Sequence, residues 1–401
     1  MGKKCATLYL CLLFLSSGLW SGGWNNTLMG IRALGIGAAY VGLADDPSAI
    51  FYNPAGLILQ KNKLNFSING LYVMPVHEFS ADGLSARSEE RTSIPQVFIT
   101  YKTSDRITFG FGVYAPYATG GVNWREEDLG TPLNSYLGIL SLTPSVSYQI
   151  SEKLSIGFNV NIYHSVLEVD TKTEFGQPLE TKENGSAITA GLGLMYSVND
   201  KLRIGVTVRG PATMKISGTT SLAQSVPGVG TVHIKRDSET EFKLPWDFEI
   251  GFSYRFSDRL VLSTSAQYTM WSVLDSVRKS IKDFPLVGDM EIREDLNFKN
   301  ILVMRAGIEY MIPGGIFLRG GLGVDRAAQP SETLSPNNID VDKFTLLGGI
   351  GYRTGNTQID FVYIMANGRE RDKTQSYMGF PFTETYNLSA SILGLGVTFS
   401  F

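Results

Sequence analysis

Residues 148–163 read YQISEKLSIGFNVNIY, and their pattern decides the fold. Leu154, Ile156, Phe158, Val160 and Ile162 fall on one side of an extended chain. Ser155, Gly157, Asn159, Asn161 and Tyr163 fall on the other. Strict alternation is the period of a strand with one apolar face and one polar or small face. The residues just before it, with Ser151 three positions after Tyr148, have the composition of a tight turn.

Working outward, the turn phrase recurs. YKTSDRI (101–107), YQISEKL (148–154), YSVNDKL (196–202) and YRFSDRL (254–260) are close copies; YMIPGGI (310–316) and YRTGNTQ (352–358) are looser ones. Copies lie 42 to 58 residues apart, enough for two long strands and one longer connection. After the first turn, Ile107, Phe109, Phe111 and Val113 oppose Thr108, Gly110, Gly112 and Tyr114. Strands are expected over 64–79, 90–102, 105–115, 139–150, 153–169, 184–198, 201–217, 239–256, 259–276, 297–311, 315–326, 341–353, 357–369 and 385–401, fourteen in all.

A soluble sandwich would also alternate, but three features oppose it. The strands mostly run past the usual length of about five or six residues. The tyrosines return at one height above one set of turns, as an interfacial girdle does. The chain also begins with an export signal. The expected fold is therefore all-β: a transmembrane antiparallel β-barrel with short periplasmic turns. The long connections, such as 116–138, 219–238 and 274–296, face the outside. The last strand alternates Leu393, Leu395, Val397, Phe399 and Phe401 with glycine, threonine and serine.

Composition agrees. Glycine is abundant at 43 of 401 residues, charged residues make up 18%, and the net charge of −3 with no basic run excludes a nucleic-acid footprint. Lys3 and Lys4, the apolar run from Ala6 to Leu15, and Ser16, Ser17 and Gly18 form a signal peptide, with cleavage expected between Gly18 and Gly23. Cys5 and Cys11 leave with it, so no disulfide is expected in the mature chain.

One stretch is unlike the rest: GIRALGIGAAYVGLADDPSAIFYNPAGL, residues 30–57. Its glycines prevent a long helix or strand. Asp46-Pro47 opens a short helical turn that Asn53-Pro54 closes. Asp45 is expected to meet nearby N–H groups or wall cations. Fourteen strands enclose a lumen too wide for wall side chains alone, since about eight strands suffice for that. The expected division is 1–23 signal peptide, 24–62 hatch inside the lumen, and 63–401 barrel.

Signs of catalysis are lacking. His77, His164 and His233 sit in or beside different strands without partners at motif spacing. No metal-ligand spacing, phosphate loop or cofactor motif stands out. Trp124, Trp246 and Trp271 read as interface or lumen aromatics. The connections carry apolar residues, among them Tyr117, Val122, Trp124 and Leu133 in one and Leu222, Val226, Val229 and Val232 in another. They either pack on one another or form a greasy surface for a ligand.

Ala44-Asp45-Asp46 followed by Asn53-Pro54-Ala55-Gly56 resembles the hatch of the FadL/TodX type of outer-membrane transporters for long-chain fatty acids and aromatic hydrocarbons. FGVYAPYATGGVNW (111–124), SLTPSVSYQISEKLSIGFNV (141–160) and LPWDFEIGFSYRFSDRLVLSTSAQYTMWS (244–272) continue the resemblance down the chain. It implies passive uptake of a hydrophobic small molecule by a plugged barrel in the outer membrane of a Gram-negative-type bacterium. Loop residues Tyr117, Trp124, Leu222 and Val226 would capture the ligand. Ile50, Phe51, Asn53, Pro54, Ala55, Tyr114 and Pro116 would line its path past the hatch. Exit would be sideways through the wall, at a third strand that here meets Pro116. No basic residue stands out for a carboxylate headgroup, which favours a neutral hydrocarbon. Expected partners are outer-membrane lipid and lipopolysaccharide, and the assembly machinery that reads the terminal Phe401. The chain is expected to act as a monomer, without cofactor, metal or nucleic acid. The alternative is a barrel resembling PorV, a shuttle or anchor for secreted proteins. An apolar pocket above the hatch favours transport, and a filled lumen favours the shuttle.

Overall fold

A computed structural model describes residues 22–401 except 82, 119–120, 174–175, 227, 229, 285–287 and 378–379, and the side chains of 225, 226, 377 and 380 are also left aside. Residues 1–21 of the expected signal peptide lie outside the described residues.

Fourteen antiparallel strands form the wall. They are β1 Leu64–Ala81, β2 Thr92–Ser104, β3 Ile107–Ala118, β4 Leu133–Ser151, β5 Leu154–Lys172, β6 Pro178–Ser197 and β7 Leu202–Arg209. After these come β8 Asp247–Ser257, β9 Leu260–Thr269, β10 Ile301–Ile312, β11 Ile316–Asp325, β12 Lys343–Thr354, β13 Thr357–Gly368 and β14 Phe380–Ser400. Each pairs with the next, and β14 pairs back onto β1 from Asn65–Ser400 to Ala81–Glu384, so the sheet closes on itself. The six connections after the recurring tyrosines are two to four residues long.

The wall is inside-out relative to a soluble barrel. On β5, Ile156, Phe158 and Ile162 are exposed, while Ser155, Asn159, Asn161 and Tyr163 are buried. Tyr101, Tyr148, Tyr196, Tyr254, Tyr310 and Tyr352 are between 37% and 48% exposed, which places all six on the outer surface above the short turns, as a membrane girdle requires.

Three expected boundaries fail for one reason. The expected strand 201–217 breaks at Gly210-Pro211, 239–256 breaks at Pro245-Trp246, and 259–276 ends at Thr269. The residues beyond these breaks leave the wall. Ala212–Val226 and Gly230–Leu244 form a hairpin that pairs sideways, Leu222–Ser217 with Leu179–Asn184 of β6 and Ser238–Glu241 with Arg278–Ile281. Ser276–Phe284 and Gly288–Asp295 form a second hairpin. The segments 219–238 and 274–296 are thus largely paired strands, not loops. In 116–138, β3 runs on to Ala118, Val122–Trp124 pairs with β4, and β4 already begins at Leu133. Backbone packed over a lumen must find hydrogen-bond partners, and hairpins supply them. Alternation alone does not show that a strand changes neighbours at a proline.

Candidate functional site

The N-terminal segment fills the lumen. It contains a helical turn at Ile31–Gly35 (α1), the expected turn at Ala49–Tyr52 (α2), and a 3-10 turn at Pro54–Leu59. α1 was not expected, because single-turn helices carry almost no periodic signal. Asp46 Oδ1 accepts from Ser48 N–H at 2.9 Å and from Ser48 Oγ at 2.6 Å, which starts α2. Asp45 makes its direct ion pair with the segment's own Arg32 at 2.6 Å, and the wall cation Arg203 of β7 acts on it at longer range.

The wall is shaped to receive backbone. A Cβ on Gly307 would lie 2.1 Å from the Ile36 carbonyl oxygen, one on Gly321 2.3 Å from Gly37 Cα, and one on Gly157 2.2 Å from Ala55 N. None of these gaps admits a side chain, so the wall glycines are there for close approach. Polar wall residues then satisfy the plug's carbonyls. Ser147 and Ser155 donate to Ala55 O at 3.0 and 2.9 Å, Asn159 to Ile50 O at 3.0 Å, and Ser253 to Gly42 O at 2.8 Å. The small polar face that alternation left unexplained is therefore a plug-binding face. On the periplasmic side, Arg32 bridges Asp45 to Glu309 at 2.9 Å, and Arg319 joins Glu309 at 2.6 Å to Asp360 at 2.7 Å. A cavity of about 450 Å³ opens beneath this network, lined in part by Arg32, Asp46, Arg255 and Arg353.

Asn53 is buried and makes three bonds. Its Nδ2 donates to Val41 O at 3.1 Å and to Leu194 O of β6 at 3.0 Å, and its Oδ1 accepts from Ala55 N–H at 3.1 Å. Asn53→Ala removes the partner of one buried carbonyl, Val41 O, and one buried N–H, Ala55, each costing about 1–3 kcal/mol if left unmade, together with the bond to Leu194 O that ties the plug to β6. The expected result is a plug that proteases cut from the periplasmic side, in a barrel that stays heat-resistant on gels. A plug as resistant as wild type would show that Asn53 is not a keystone.

The wall has a lateral gap. The β2–β3 ladder stops at Val97–Val113, although β2 begins at Thr92 and β3 continues to Ala118. On its other side β3 pairs with β4 up to Tyr114, slips register, and resumes at Tyr117. Among the described residues, Ala115 and Pro116 therefore have no ladder partner on either neighbouring strand. Pro95 and Pro116, one on each flank, cannot donate a ladder bond. The leading segment Trp24–Gly30 crosses this gap from inside. Asn26 donates from its backbone to Pro116 O at 2.8 Å and from Nδ2 to Ala115 O at 2.7 Å, and Ala118 N–H donates to Trp24 O at 3.3 Å. Asn25 and Tyr117 form an antiparallel bridge. At the β2 edge, Gln96 donates to Leu28 O and accepts from Gly30 N–H at 2.9 Å.

Above the plug lies an aromatic cluster. Trp24 packs edge-on against Phe242, Trp271 and Phe298, and Tyr117 against Trp271 and Tyr163. All are buried in one apolar core with Trp124 and Leu222. Of the two alternatives for the loop apolars, these residues pack on one another. Lys279, buried in this lid beside Glu183, is pushed down to about 8 by its burial. Val226 ends a hairpin strand, but its side chain lies outside the described residues. Nearer the plug, Phe51 meets Tyr114 at 5.5 Å, and Tyr114 stacks on Phe98. Ile50, Pro54 and Ala55 are buried against the wall instead of facing an open space. The expected site residues thus divide between plug, gap and lid.

Arg209, at the end of β7, lies between plug and lid. Its guanidinium sits 4.6 Å from the Phe51 ring centre and donates to Phe51 O at 3.1 Å; Asp247 lies opposite it on β8 and acts on it electrostatically, with no direct ion pair between them among the described residues. Sequence reading passed it over because one Arg at a strand end resembles any other. Gln96 and Asn26 carried no signal either.

A closed barrel with an apolar outer belt, an internal plug and a barred lateral gap defines an outer-membrane channel of the plugged class. Comparison with known proteins makes that particular. Residues 13–401 match the family model described as outer membrane protein transport protein (OMPP1/FadL/TodX), and the chain belongs to that family. Outer membrane protein P1 of Haemophilus influenzae is 22% identical, covering 92% of this chain and 94% of its own. The 47 kDa outer membrane protein of Pasteurella multocida is 24% identical, covering 92% of each. Among solved structures, a Pseudomonas aeruginosa FadL homologue superposes with TM-score 0.78 at 16% identity, over 97% of this chain and 99% of that one. The Ralstonia pickettii toluene transporter TbuX superposes at 0.74 with 21% identity, over 93% and 98%. The chain is an outer-membrane protein of the FadL/TodX fold.

Proposed function

We propose that this barrel takes up hydrophobic small molecules passively across the outer membrane and releases them sideways through the β2–β3 gap. The observation that carries this is the bar of Trp24–Gly30 across that gap, hydrogen-bonded to both flanking strands. Such a solute gains little from a water-filled pore, so a route from lid to bilayer that avoids water suits it. The packed aromatic lid is the closed state, and capture by Tyr117, Trp124, Leu222 and Val226 requires it to loosen. The ligand then passes Phe51, Tyr114 and Pro116 as the bar withdraws. No catalytic step, cofactor or metal enters this reading. The outer belt faces membrane lipid and lipopolysaccharide, Phe401 is the assembly signal, and the closed wall acts as a monomer.

Arg209 revises the substrate. Arg209 is half-buried, and Asp247, opposite it on β8, acts on it without forming a direct ion pair; its guanidinium keeps donors for a second anion, which a long-chain fatty acid supplies while its tail lies among the aromatics. Long-chain acids are therefore placed before neutral hydrocarbons. Arg209→Gln is expected to lower fatty-acid uptake into cells by roughly tenfold or more, the weight of a charged hydrogen bond. Uptake of a neutral aromatic hydrocarbon is expected to stay near wild type. Equal loss of both would remove the headgroup role and leave Arg209 structural.

The filled space above the plug favours a second reading, the PorV-like shuttle for secreted proteins. The two part on one measurement. Mass spectrometry of small molecules that copurify with the barrel should find long-chain acids if it transports them. A barrel free of lipid-like ligands but bound to a secreted protein supports the shuttle.

A further inference from the structure

The wall is interrupted a second time, beside β6. The β6–β7 ladder rises to Gly191–Arg209 and stops. Pairing with the hairpin strand Ala212–Val226 resumes only at Asn184–Ser217. Between these points, residues 185–190 of β6 and 210–216 opposite share no ladder pair. At the foot of this seam Gly210 N–H donates to Ala190 O at 2.8 Å, and Pro211 next to it has no N–H to offer. At its top the strands close, since a Cβ on Gly185 would lie 2.2 Å from the Lys215 carbonyl oxygen.

The seam lies at membrane depth. Ile188 stands eight residues above the girdle residue Tyr196 on the same strand. That is about 20 Å along the barrel axis, for a rise of about 3.4 Å per residue and a tilt of about 40°, inside an apolar band about 25 Å tall. Unladdered backbone at such depth is tolerated only where protein covers it or where it lines a cavity. At the β2–β3 gap the plug provides the cover. Here the plug's bonds fall below the seam, at Leu194 O and at Arg209, and none reaches 185–189 or 211–216 among the described residues. On the outside, Ile188 is 69% exposed, the barest large apolar side chain among the described residues, and Leu192 below it is 60% exposed.

Arg209 is the last ladder residue under the seam, and its guanidinium points inward to Phe51 O. Asp247 across the β7–β8 ladder and the rings of Tyr114, Tyr117 and Tyr163 are its electrostatic neighbours. Lys215, on the hairpin side, is held outside by Glu241 at 3.0 Å. We propose that the seam is a second lateral opening, through which a long-chain carboxylate enters from the outer leaflet. Its headgroup sits on Arg209, and its tail runs out between β6 and 212–214 along Ile188 and Leu192. This rests on the headgroup role given to Arg209 above. An anionic amphiphile fits both ends of the seam, a guanidinium with donors to spare inside and bare apolar side chains outside. Acids already dissolved in the membrane thus reach the lumen without passing the lid, and then draw their tails inward among the aromatics.

The test uses the barrel in phospholipid vesicles and palmitic acid with a diazirine at the far end of its tail. After irradiation and digestion, label per residue on 186–192 and 213–215 is compared with that on 361–365 of β13, where any membrane-dissolved tail can react. The seam is expected to carry about tenfold or more label than β13, the weight of a charged hydrogen bond, and to fall to the β13 level with excess unlabelled palmitate. Arg209→Gln, checked for heat-resistant gel mobility, should lose the excess, and a diazirine alkane of equal length should show none. Equal labelling of seam and β13 in wild type overturns the opening, while loss of fatty-acid uptake in Arg209→Gln would still uphold the headgroup role. Excess label that persists in a folded Arg209→Gln barrel overturns the seat on Arg209.

Discussion

An oxidised Asn25→Cys/Tyr117→Cys barrel will take up almost no hydrophobic ligand until reductant is added. Asn25 and Tyr117 are direct partners in the antiparallel bridge that ties the leading segment to β3. Bridge partners have Cα atoms about 4.5–5.5 Å apart, inside the roughly 4.4–6.8 Å span of a disulfide. The background is clean, because Cys5 and Cys11 both lie in the expected signal peptide. The cross-link leaves wall and plug intact and removes only the freedom of Trp24–Gly30 to leave the gap. Uptake of labelled fatty acid by whole cells is expected to fall about tenfold or more on oxidation, as when a lid that must open is locked. It should recover with dithiothreitol, while the two single-cysteine barrels ignore both treatments. Undiminished uptake by a fully oxidised barrel would mean that ligand leaves by another route. A block that reductant does not relieve would mean that the substitutions themselves did the damage.

The sequence carried the wall well and the site poorly, for separable physical reasons. Strand identity came from period-two alternation, as in Leu154 to Tyr163, a rule that the membrane-facing wall obeys outside its register shifts. Turn chemistry repeated six times fixed which ends are short. Plug and wall were legible as two compositions, since 30–57 lacks a strand's period. What alternation could not show was lateral choice. Pro211 and Pro245 mark where the chain changes partners, but proline reports only a missing donor. The small face of the wall was visible at Gly157 and Gly307, yet its purpose depends on backbone in another segment, Ala55 and Ile36, more than a hundred residues away. Arg209, Asn26 and Gln96 are single side chains whose meaning comes from position alone. Pro116, like Pro95 on the opposite flank of the gap, had a local signature, because a proline ring forbids a ladder bond wherever it sits.

The plug's seat should fail when Arg32 loses its charge. Arg32 joins Asp45 within the plug to Glu309 on β10, and Glu309 is held in turn by Arg319. The Arg32 side chain is 12% exposed and that of Glu309 8%, so water replaces little of what is removed. Arg32→Met keeps the length and much of the packing while leaving Asp45 without its cation. Breaking a buried pair by removing one partner costs about 3–5 kcal/mol, which exceeds the worth of any single plug hydrogen bond, about 0.5–1.5 kcal/mol net. The wall does not need Arg32, because its ladder and its Glu309–Arg319–Asp360 pairs remain. The expected variant therefore assembles as a heat-resistant barrel with a loosened plug. Planar bilayers should show ion conductance that wild type lacks, and trypsin should reach the N-terminal segment. Adding Asp45→Asn to Arg32→Met removes the stranded charge and should restore part of the seal, which simple loss of side-chain volume would not predict. A tight, non-conducting Arg32→Met barrel would place the plug's hold in the glycine contacts and carbonyl bonds alone, and Gly307→Val, whose Cβ would collide with the Ile36 carbonyl, would then be the substitution that unseats it.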